Sequence, residues 1–143
     1  MADAPPPGPV FHHAARVYWD DTDGGGVVYH GSYVRLLDRA RAEWLHALGI
    51  GQQALRAADV VLAVRAMALD FRKPARLDDV VDIDVRLTAL RPASLAVAQE
   101  LSRKGECLLT ARVRLACLQA STFRPRALPE GLAQALRTTG GIS

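Results

Sequence analysis

Apolar and polar residues alternate along much of the second half of the chain. Four runs show this period of two, with different regularity: residues 60–71, 81–87, 95–101 and 109–117. A period of two predicts β-strands with one buried face, because successive side chains point to opposite faces of a sheet. Turn-forming residues separate these runs: Pro74, Asp78-Asp79, Arg91-Pro92 and Lys104-Gly105. The sequence therefore predicts four strands that are joined by short turns.

The stretch that precedes these strands has the spacing of an amphipathic helix. Its apolar residues recur at intervals of three and four: Tyr33, Leu36, Leu37, Ala40, Trp44, Leu45 and Leu48. Such spacing places one apolar stripe along a helix. Ser32 is a residue type favoured at a helix N-cap and Gly49 is typical of a helix end, so these two residues bound the predicted helix. A shorter helix is predicted over residues 52–58.

Aromatic and β-branched residues over 10–19 predict one further strand ahead of the long helix. The order of one strand, a long helix and four strands indicates an α+β domain, with an antiparallel sheet on one face of the helix. We expect this domain to span residues 10–125. Residues 1–9 are rich in proline and are predicted to form a flexible leader. Residues 126–143, weakly helical near 132–136, are predicted to form a peripheral tail.

Composition narrows the classes of function. The chain has 143 residues, enough for one domain, and a formal net charge of +3 with scattered basic residues, so no nucleic-acid-binding surface is predicted. No run approaches the roughly eighteen apolar residues that span a bilayer, and the leader lacks the apolar core of a signal peptide. We therefore expect a cytoplasmic protein without a membrane span. Cys107 and Cys117 share one predicted strand and lie too far apart to form a disulfide.

The densest group of chemically reactive residues lies between the first strand and the long helix. Asp20, Asp21 and Asp23 are followed by glycines at 24–26. The start of a helix offers N–H groups without helical partners and the positive end of the helix dipole, and both stabilise a developing oxyanion. Glycines let a substrate approach the backbone, and a nearby carboxylate can act as nucleophile or general base. The pattern fits either an acidic turn that caps the helix or a site that acts on a carbonyl group.

The full string of residues favours the second interpretation. Residues 17–33, which read VYWDDTDGGGVVYHGSY, and the run Asp38-Arg39-Ala40-Arg41 closely resemble the YbgC-type branch of the 4-hydroxybenzoyl-CoA thioesterase family. Residues 71–79 are similar to a second recurrent segment of that family. The resemblance covers roughly residues 11–125. It implies a hotdog fold, in which an antiparallel sheet of about five strands wraps around one long central helix.

The resemblance also implies an activity, an assembly and a set of site residues. The activity is hydrolysis of an acyl-CoA thioester to a free acid and coenzyme A, without a metal or cofactor, by a homodimer that often doubles to a homotetramer. The catalytic carboxylate falls on Asp23, which would attack the carbonyl or activate a water. The polarising backbone N–H falls near His30, whose imidazole is implied to orient or protonate the substrate. Gly26 and Tyr29 are implied to lie against the substrate.

Two assignments stay open in the sequence. Asp38 lies mid-helix where relatives usually carry glutamate, and it fits either a catalytic acid or a buried acid bonded to the loop or to a nearby arginine. The phosphates of coenzyme A need cations, for which six basic residues are candidates: Arg72, Lys73, Arg76, Arg91, Arg103 and Lys104. Arg91 resembles a basic turn position that contacts the nucleotide in relatives, so it is the leading candidate.

Other classes of protein fit the residues less well. A non-catalytic acyl-CoA-binding or scaffold protein of the Tol-Pal envelope system, with which this branch is associated, would not need a carboxylate at the thioester. A hotdog dehydratase would need a differently placed histidine and acid. The glycine-rich loop lacks the Gly-Lys-Ser/Thr of a P-loop, and the histidines lack the spacing of zinc ligands. Short aliphatic, long aliphatic and aromatic acyl groups all occur among relatives, so the acyl group is left open.

Overall fold

The computed structural model describes residues 10–140 of the chain, and the predicted leader at 1–9 lies outside the described residues. This part contains β1 (Phe11–Arg16), α1 (His30–Ala47), α2 (Gln52–Ala57), β2 (Val60–Phe71), β3 (Val80–Arg91), β4 (Ser94–Arg103), β5 (Glu106–Gln119) and α3 (Glu130–Gly140). A single 3-10 turn, Trp19–Asp21, precedes α1. The predicted order of strands is confirmed, with one strand before α1 and four strands after it.

The strands form one antiparallel sheet in the order β1-β3-β4-β5-β2. β3, β4 and β5 are neighbours in sequence and in space, and the turns that join them are those predicted at Arg91-Pro92 and Lys104-Gly105. β1 and β2 flank α1 in the sequence but lie at opposite edges of the sheet. The segment that contains α1 therefore leads the chain from one edge of the sheet to the other. The α+β class and the five-stranded antiparallel sheet are confirmed.

The hydrophobic core forms between α1 and the buried face of the sheet, with α1 packed against β1 and β3. The buried side chains of α1 are Ser32, Tyr33, Leu36, Leu37, Ala40, Arg41, Trp44 and Leu45. Alternate residues of the central strands join the same core: Val81, Ile83, Val85, Leu95 and Val97. Removing these apolar surfaces from water is the main force that holds the helix on the sheet.

The ends of α1 differ in part from the prediction. The helix begins at His30 after an extended N-cap residue, Tyr29, which makes no side-chain capping hydrogen bond. The predicted N-cap, Ser32, is wrong, because this residue lies buried inside the first turn. At the other end, Gly49 has a φ of +79° and its N–H donates to the His46 carbonyl, as expected for a glycine that follows a helix.

The C-terminal segment is more integrated than the sequence suggested. α3 packs against β3, and four side chains of this segment are buried: Leu128, Leu132, Ala133 and Leu136. These buried side chains, at positions 128–136, differ from the expectation that residues 126–143 form a peripheral tail. The apolar residues of α3 share one face, but the stretch is too short for its periodicity to indicate burial from the sequence alone.

No helix within residues 10–140 is both long and apolar enough to cross a membrane. Cys107 and Cys117 are free thiols on β5.

Burial of Leu136 in α3 leads to a stability prediction. Because its side chain is fully buried, we expect Leu136→Ala to lower the free energy of unfolding by about 2–5 kcal/mol, the usual cost of such a cavity. Gln134→Ala, at an exposed position of the same helix, is the matched control and should change stability by less than about 0.5 kcal/mol. Urea denaturation measures both. Equal, small effects would contradict the inclusion of α3 in the cooperative core.

Candidate active site

The acidic, glycine-rich segment folds into a narrow hairpin over residues 21–29. Thr22 bridges Val28, the Asp23 N–H donates to the Val27 carbonyl at 3.0 Å, and the N–H of residue 29 donates to the carbonyl of residue 21 at 2.9 Å. At the tip, Gly24 and Gly26 have φ values of +92° and +86°, which L side chains rarely adopt. The glycines therefore make the tight turn possible. Asp23 lies on the first arm of the hairpin, and the second arm leads directly into α1.

The carboxylate of Asp23 is exposed and partly fixed in orientation. Its Oδ1 accepts a hydrogen bond from the Gly25 N–H at 2.8 Å, a local contact typical of aspartate in turns. A carboxylate that is held by one oxygen keeps the lone pairs of its other oxygen for a substrate or a water. This arrangement suits a nucleophile or a general base.

The start of α1 lies at the end of the second arm. His30 and Gly31 are the first two helical residues, so helix geometry provides no i−4 carbonyl for their N–H groups. The Tyr29 ring lies over this turn, because a Cβ at Gly31 would be 2.7 Å from Tyr29 Cε2. The rings of Tyr29 and His30 have centroids 4.3 Å apart, and both side chains are exposed. The first turn thus presents N–H donors flanked by an aromatic ring and an imidazole.

Asp21 anchors the base of the hairpin instead of facing a substrate. Its Oδ2 accepts the Tyr18 N–H at 2.9 Å, and its Oδ1 accepts a hydrogen bond from Arg35 of α1 at 3.2 Å. A surface cavity beside this contact is lined by Tyr18, Asp20, Asp21, Arg35, Leu36 and Arg39. The Asp21 side chain is largely buried, so we interpret it as a structural residue.

The loop between β2 and β3 braces the hairpin from the opposite side. We call residues 74–79 the bracing loop. The Val28 N–H donates to the Ala75 carbonyl at 2.8 Å, and the Leu77 N–H donates to the Gly26 carbonyl at 2.9 Å. Two more main-chain hydrogen bonds join Val17, just ahead of the hairpin, to Asp78 and Asp79. Residues 71–79 resemble a recurrent segment of the thioesterase family in sequence, but nothing in their pattern predicts a contact with the acidic loop.

An ion pair fixes the bracing loop to the β4–β5 hairpin. Asp79 Oδ2 accepts the Arg76 N–H at 2.8 Å and a hydrogen bond from Arg103 Nη1 at 2.7 Å. Partial burial favours a higher pKa for the Asp79 carboxyl, but the bonds from Arg103 and from the backbone outweigh it and hold that pKa below its usual value. Arg103 also contacts Glu106, which pairs in turn with Lys73. Arg103 and Lys73, two of the six candidate cations for coenzyme A, are therefore already engaged with carboxylates.

Arg91 lies away from this hairpin within one chain. It ends β3, whereas the opposite end of β3, at Val80, pairs with Arg16 close to the hairpin. The strand between and including these two ends is twelve residues long. Arg76 is nearer, because it forms a β-bridge with Val27 of the hairpin and has an exposed side chain. The predicted role of Arg91 in binding coenzyme A stays a prediction. It requires that a second chain brings this residue to the site.

Asp38 belongs to a separate polar network. Its Oδ1 accepts a hydrogen bond from Arg41 at 3.0 Å, and Arg41 also donates to Gln99 Oε1 at 2.9 Å. Gln99 completes the network by donating to the Leu37 carbonyl at 3.1 Å. Burial lowers the pKa of the Arg41 guanidinium from its usual value, and Asp38 opposes that shift. The predicted bond between Asp38 and a nearby arginine is present, with Arg41 as the partner. The Asp38 side chain is exposed, however, and the buried member of the pair is Arg41.

Within residues 10–140, no group of three histidine, cysteine or acidic side chains could hold a metal ion. The reactive groups that the hairpin and α1 bring together are the Asp23 carboxylate, the first N–H groups of the helix and the flanking rings. A carboxylate carried by a hairpin that runs into a helix N-terminus is suited to acyl transfer.

Comparison with known proteins supports an enzyme of acyl transfer. The sequence model of the thioesterase-like superfamily matches residues 17–136 of this chain. The chain therefore belongs to this family. It is 42% identical over 124 residues to the acyl-CoA thioester hydrolase YbgC of Escherichia coli O6:H1, with 86% of this chain and 92% of that protein covered. It is 35% identical over 121 residues to the acyl-CoA thioesterase YbgC of Haemophilus influenzae, with 84% and 89% covered.

A solved structure supports the same assignment. The crystal structure of a probable thioesterase from Bartonella henselae matches with a TM-score of 0.80 and 32% sequence identity, covering 85% of this chain and 100% of that one. The resemblance to the thioesterase family and the hotdog thioesterase fold with its five-stranded sheet are confirmed. The roles of Asp23, His30, Gly26, Tyr29 and Arg91 stay predictions.

The lowered pKa of Asp79 leads to a prediction about stability and pH. A carboxyl whose folded-state pKa is depressed stabilises the fold above its unfolded pKa, about 3.9, and loses that contribution as pH falls through the folded value. Asp79→Asn should therefore lower the unfolding free energy at neutral pH, and the difference from wild type should shrink in acid. Urea denaturation between about pH 7 and pH 3 measures this.

Asp78→Asn is the matched control for this series. Asp78 is the exposed neighbour of Asp79, and its φ of +70° is one that asparagine tolerates. Its difference from wild type should be small at all pH values. A stability loss at Asp79→Asn that stayed constant between neutral and acidic pH would contradict the ion-pair assignment.

Proposed function

We propose that the protein hydrolyses acyl-CoA thioesters to a free acid and coenzyme A. The observation that carries this proposal is the hairpin, in which Asp23 has one carboxylate oxygen fixed by Gly25 N–H and the second arm runs into the start of α1. Relatives with the same activity in their names share 35–42% of their residues with this chain. In this proposal the protein is a thioester hydrolase that uses Asp23 as its nucleophile or general base.

Two routes use this carboxylate. In the first, Asp23 attacks the thioester carbonyl carbon, the C–S bond breaks, and coenzyme A leaves as a thiolate that takes up a proton. Water then hydrolyses the mixed anhydride, which releases the acid and restores the carboxylate. In the second, Asp23 accepts a proton from a water whose oxygen attacks the same carbon, the C–S bond then breaks, and coenzyme A leaves as a thiolate that takes up that proton. In both routes the carbonyl oxygen becomes negative, and the N–H groups at the start of α1 stabilise it.

The residues around the first turn of α1 have complementary tasks in this proposal. The exposed His30 imidazole orients the thioester or protonates the departing thiolate. The Tyr29 ring, held over Gly31, provides an apolar wall beside the carbonyl. Gly26 has no side chain at the hairpin tip, so the pantetheine arm can pass close to the backbone.

Assembly completes the proposed site. We propose that the sheet wraps α1 as the central helix of the hotdog fold, and that two chains pair through β2, with the homodimer doubling to a homotetramer. β2 is an edge strand that pairs on one side with β5, and its Val64 side chain is 48% exposed. An unpaired, apolar edge strand favours association. A second chain would bring its own basic residues, including Arg91, to the neighbouring hairpin and the phosphates of coenzyme A.

The first prediction from this mechanism concerns Asp23. Asp23→Asn keeps the size of the side chain but removes the charge needed for attack or base catalysis. We expect kcat with the best acyl-CoA substrate to fall at least about a hundredfold, the scale for losing a positioned general base. Asp20→Asn removes a nearby exposed carboxylate and should leave kcat nearly unchanged. A panel of acyl-CoAs of graded chain length supplies the substrate for the comparison.

Two outcomes would count against the mechanism. Near wild-type turnover by Asp23→Asn would remove this residue from the reaction. A wild-type protein that binds acyl-CoA but hydrolyses no member of the panel would instead favour the non-catalytic binding protein.

The second prediction concerns the proposed dimer. Val64→Glu adds a charge to the β2 edge, so it should split the dimer and lower activity together if each site needs both chains. Val80→Glu is the matched control, because Val80 is 49% exposed but lies on β3, an interior strand of the sheet. Sedimentation and turnover are measured on both variants. An active monomer would contradict the shared site, and an inactive but intact dimer would move the interface away from β2.

A further inference from the structure

The bracing loop connects the hairpin to the sheet through main-chain hydrogen bonds. Its Ala75 carbonyl accepts the Val28 N–H, and the Leu77 N–H donates to Gly26 at the hairpin tip. A shift of the bracing loop would therefore move the tip and the second arm of the hairpin, and with them the first arm that carries Asp23, because the Asp23 N–H donates to the Val27 carbonyl. What holds the loop also determines where the carboxylate lies.

Two side chains hold the bracing loop. From α1, the buried Tyr33 hydroxyl accepts the Ala75 N–H at 2.9 Å. From β4, Arg103 donates to the Asp79 carboxylate at 2.7 Å, and the same carboxylate oxygen accepts the Arg76 N–H. Tyr33 fixes the loop near its start and the ion pair fixes it at its end. Both contacts connect rigid elements of the core to the same short segment.

We propose that Arg103 and Asp79 are positioning residues for the hydrolysis, because their ion pair sets the distance between the Asp23 carboxylate and the start of α1. This inference rests on the function proposed above. Neither residue touches the substrate. Their effect passes through the bracing loop and its hydrogen bonds to residues 17, 26 and 28.

The geometry of the Arg103–Asp79 ion pair suits a positioning role better than that of an ordinary exposed ion pair would. Both side chains are largely shielded, with 23% of Arg103 and 22% of Asp79 exposed. A shielded ion pair is less screened by solvent than an exposed one, and the planar guanidinium of arginine fixes direction as well as distance. Reacting groups are sensitive to such placement, since a displacement of about 1 Å can cost roughly a hundredfold in rate.

The same contacts argue against the alternative role of Arg103. The sequence made it a candidate for binding the phosphates of coenzyme A, but its guanidinium donates to Asp79 and Glu106. A phosphate would have to replace a carboxylate that already forms a short, charge-assisted bond. We therefore interpret the function of Arg103 as internal to the protein.

The test compares four variants of the full-length protein: Arg103→Gln, Arg103→Lys, Asp79→Asn and the double variant of Arg103→Gln with Asp79→Asn. We expect kcat to fall about tenfold or more for Arg103→Gln and Asp79→Asn while KM for acyl-CoA changes less than about twofold, the pattern of a lost transition-state arrangement. The double variant should be no slower than the slower single variant, because the two residues act as one unit. Arg103→Lys, which keeps the charge, should recover part of kcat.

Glu106→Gln is the matched control. It removes the second carboxylate partner of Arg103, at 3.3 Å, and leaves the 2.7 Å contact with Asp79 in place. Its kcat should stay close to wild type. Thermal unfolding of each variant checks that the protein is folded at the assay temperature.

Repeating Arg103→Gln in the Asp23→Asn background separates this proposal from the proposed function. If the ion pair acts through Asp23, Arg103→Gln should lower the rate of the Asp23→Asn variant by a much smaller factor than it lowers the rate of the wild type. An active Asp23→Asn would overturn the proposed role of Asp23, and the positioning role with it. An inactive Asp23→Asn together with an unchanged kcat for Arg103→Gln would overturn the positioning role alone. A raised KM for acyl-CoA but not for an acyl-pantetheine thioester would also overturn it, because Arg103 would then bind the nucleotide.

Discussion

Main-chain hydrogen bonds between the hairpin at 21–29 and the bracing loop at 74–79 are the contacts on which the candidate site depends. An isolated two-stranded hairpin is marginally stable in water, and this one has glycines at its tip. The loop supplies the missing partners, since it pairs with Gly26 and Val28 while Tyr33 and Arg103 hold it to the core. The hairpin thus has a glycine-rich sequence that does not fix its position by itself. Contacts with elements distant in the sequence fix that position.

The fold could be predicted to a large extent because its signals are local and periodic. The alternation on β3 and the three- and four-residue spacing on α1 each follow from burial of one face, so they showed strand and helix correctly. The start of α1 was misplaced because Ser32 has the chemistry of an N-cap, whereas the true start follows from the hairpin that ends at Tyr29. Tertiary structure decided that boundary, and local propensity did not.

The candidate site could be predicted less completely, for a related reason. Asp23 and His30 lie in one continuous motif, so a resemblance could find them. Arg103 and Asp79 lie 24 positions apart, and in the sequence both look like ordinary surface charges beside turns. Their pairing depends on the approach of the β4–β5 hairpin to the bracing loop, which no local pattern encodes. Arg91 was also found through a resemblance, to a basic turn position, but it lies at the far end of β3, so its role stays a prediction that depends on a second chain.

The uncapped start of α1 connects stability with the proposed chemistry. A Ser, Thr, Asn or Asp at the N-cap would stabilise the helix by about 1 kcal/mol, but its side-chain oxygen would accept an N–H of the first turn. Tyr29 makes no such bond, and Gly31 leaves room for its ring over that turn. In the proposed mechanism the Gly31 N–H binds the carbonyl oxygen of the substrate, whereas the Ser32 N–H already donates to the Tyr29 carbonyl. Lower helix stability at this end is therefore the physical condition for an oxyanion-binding site there.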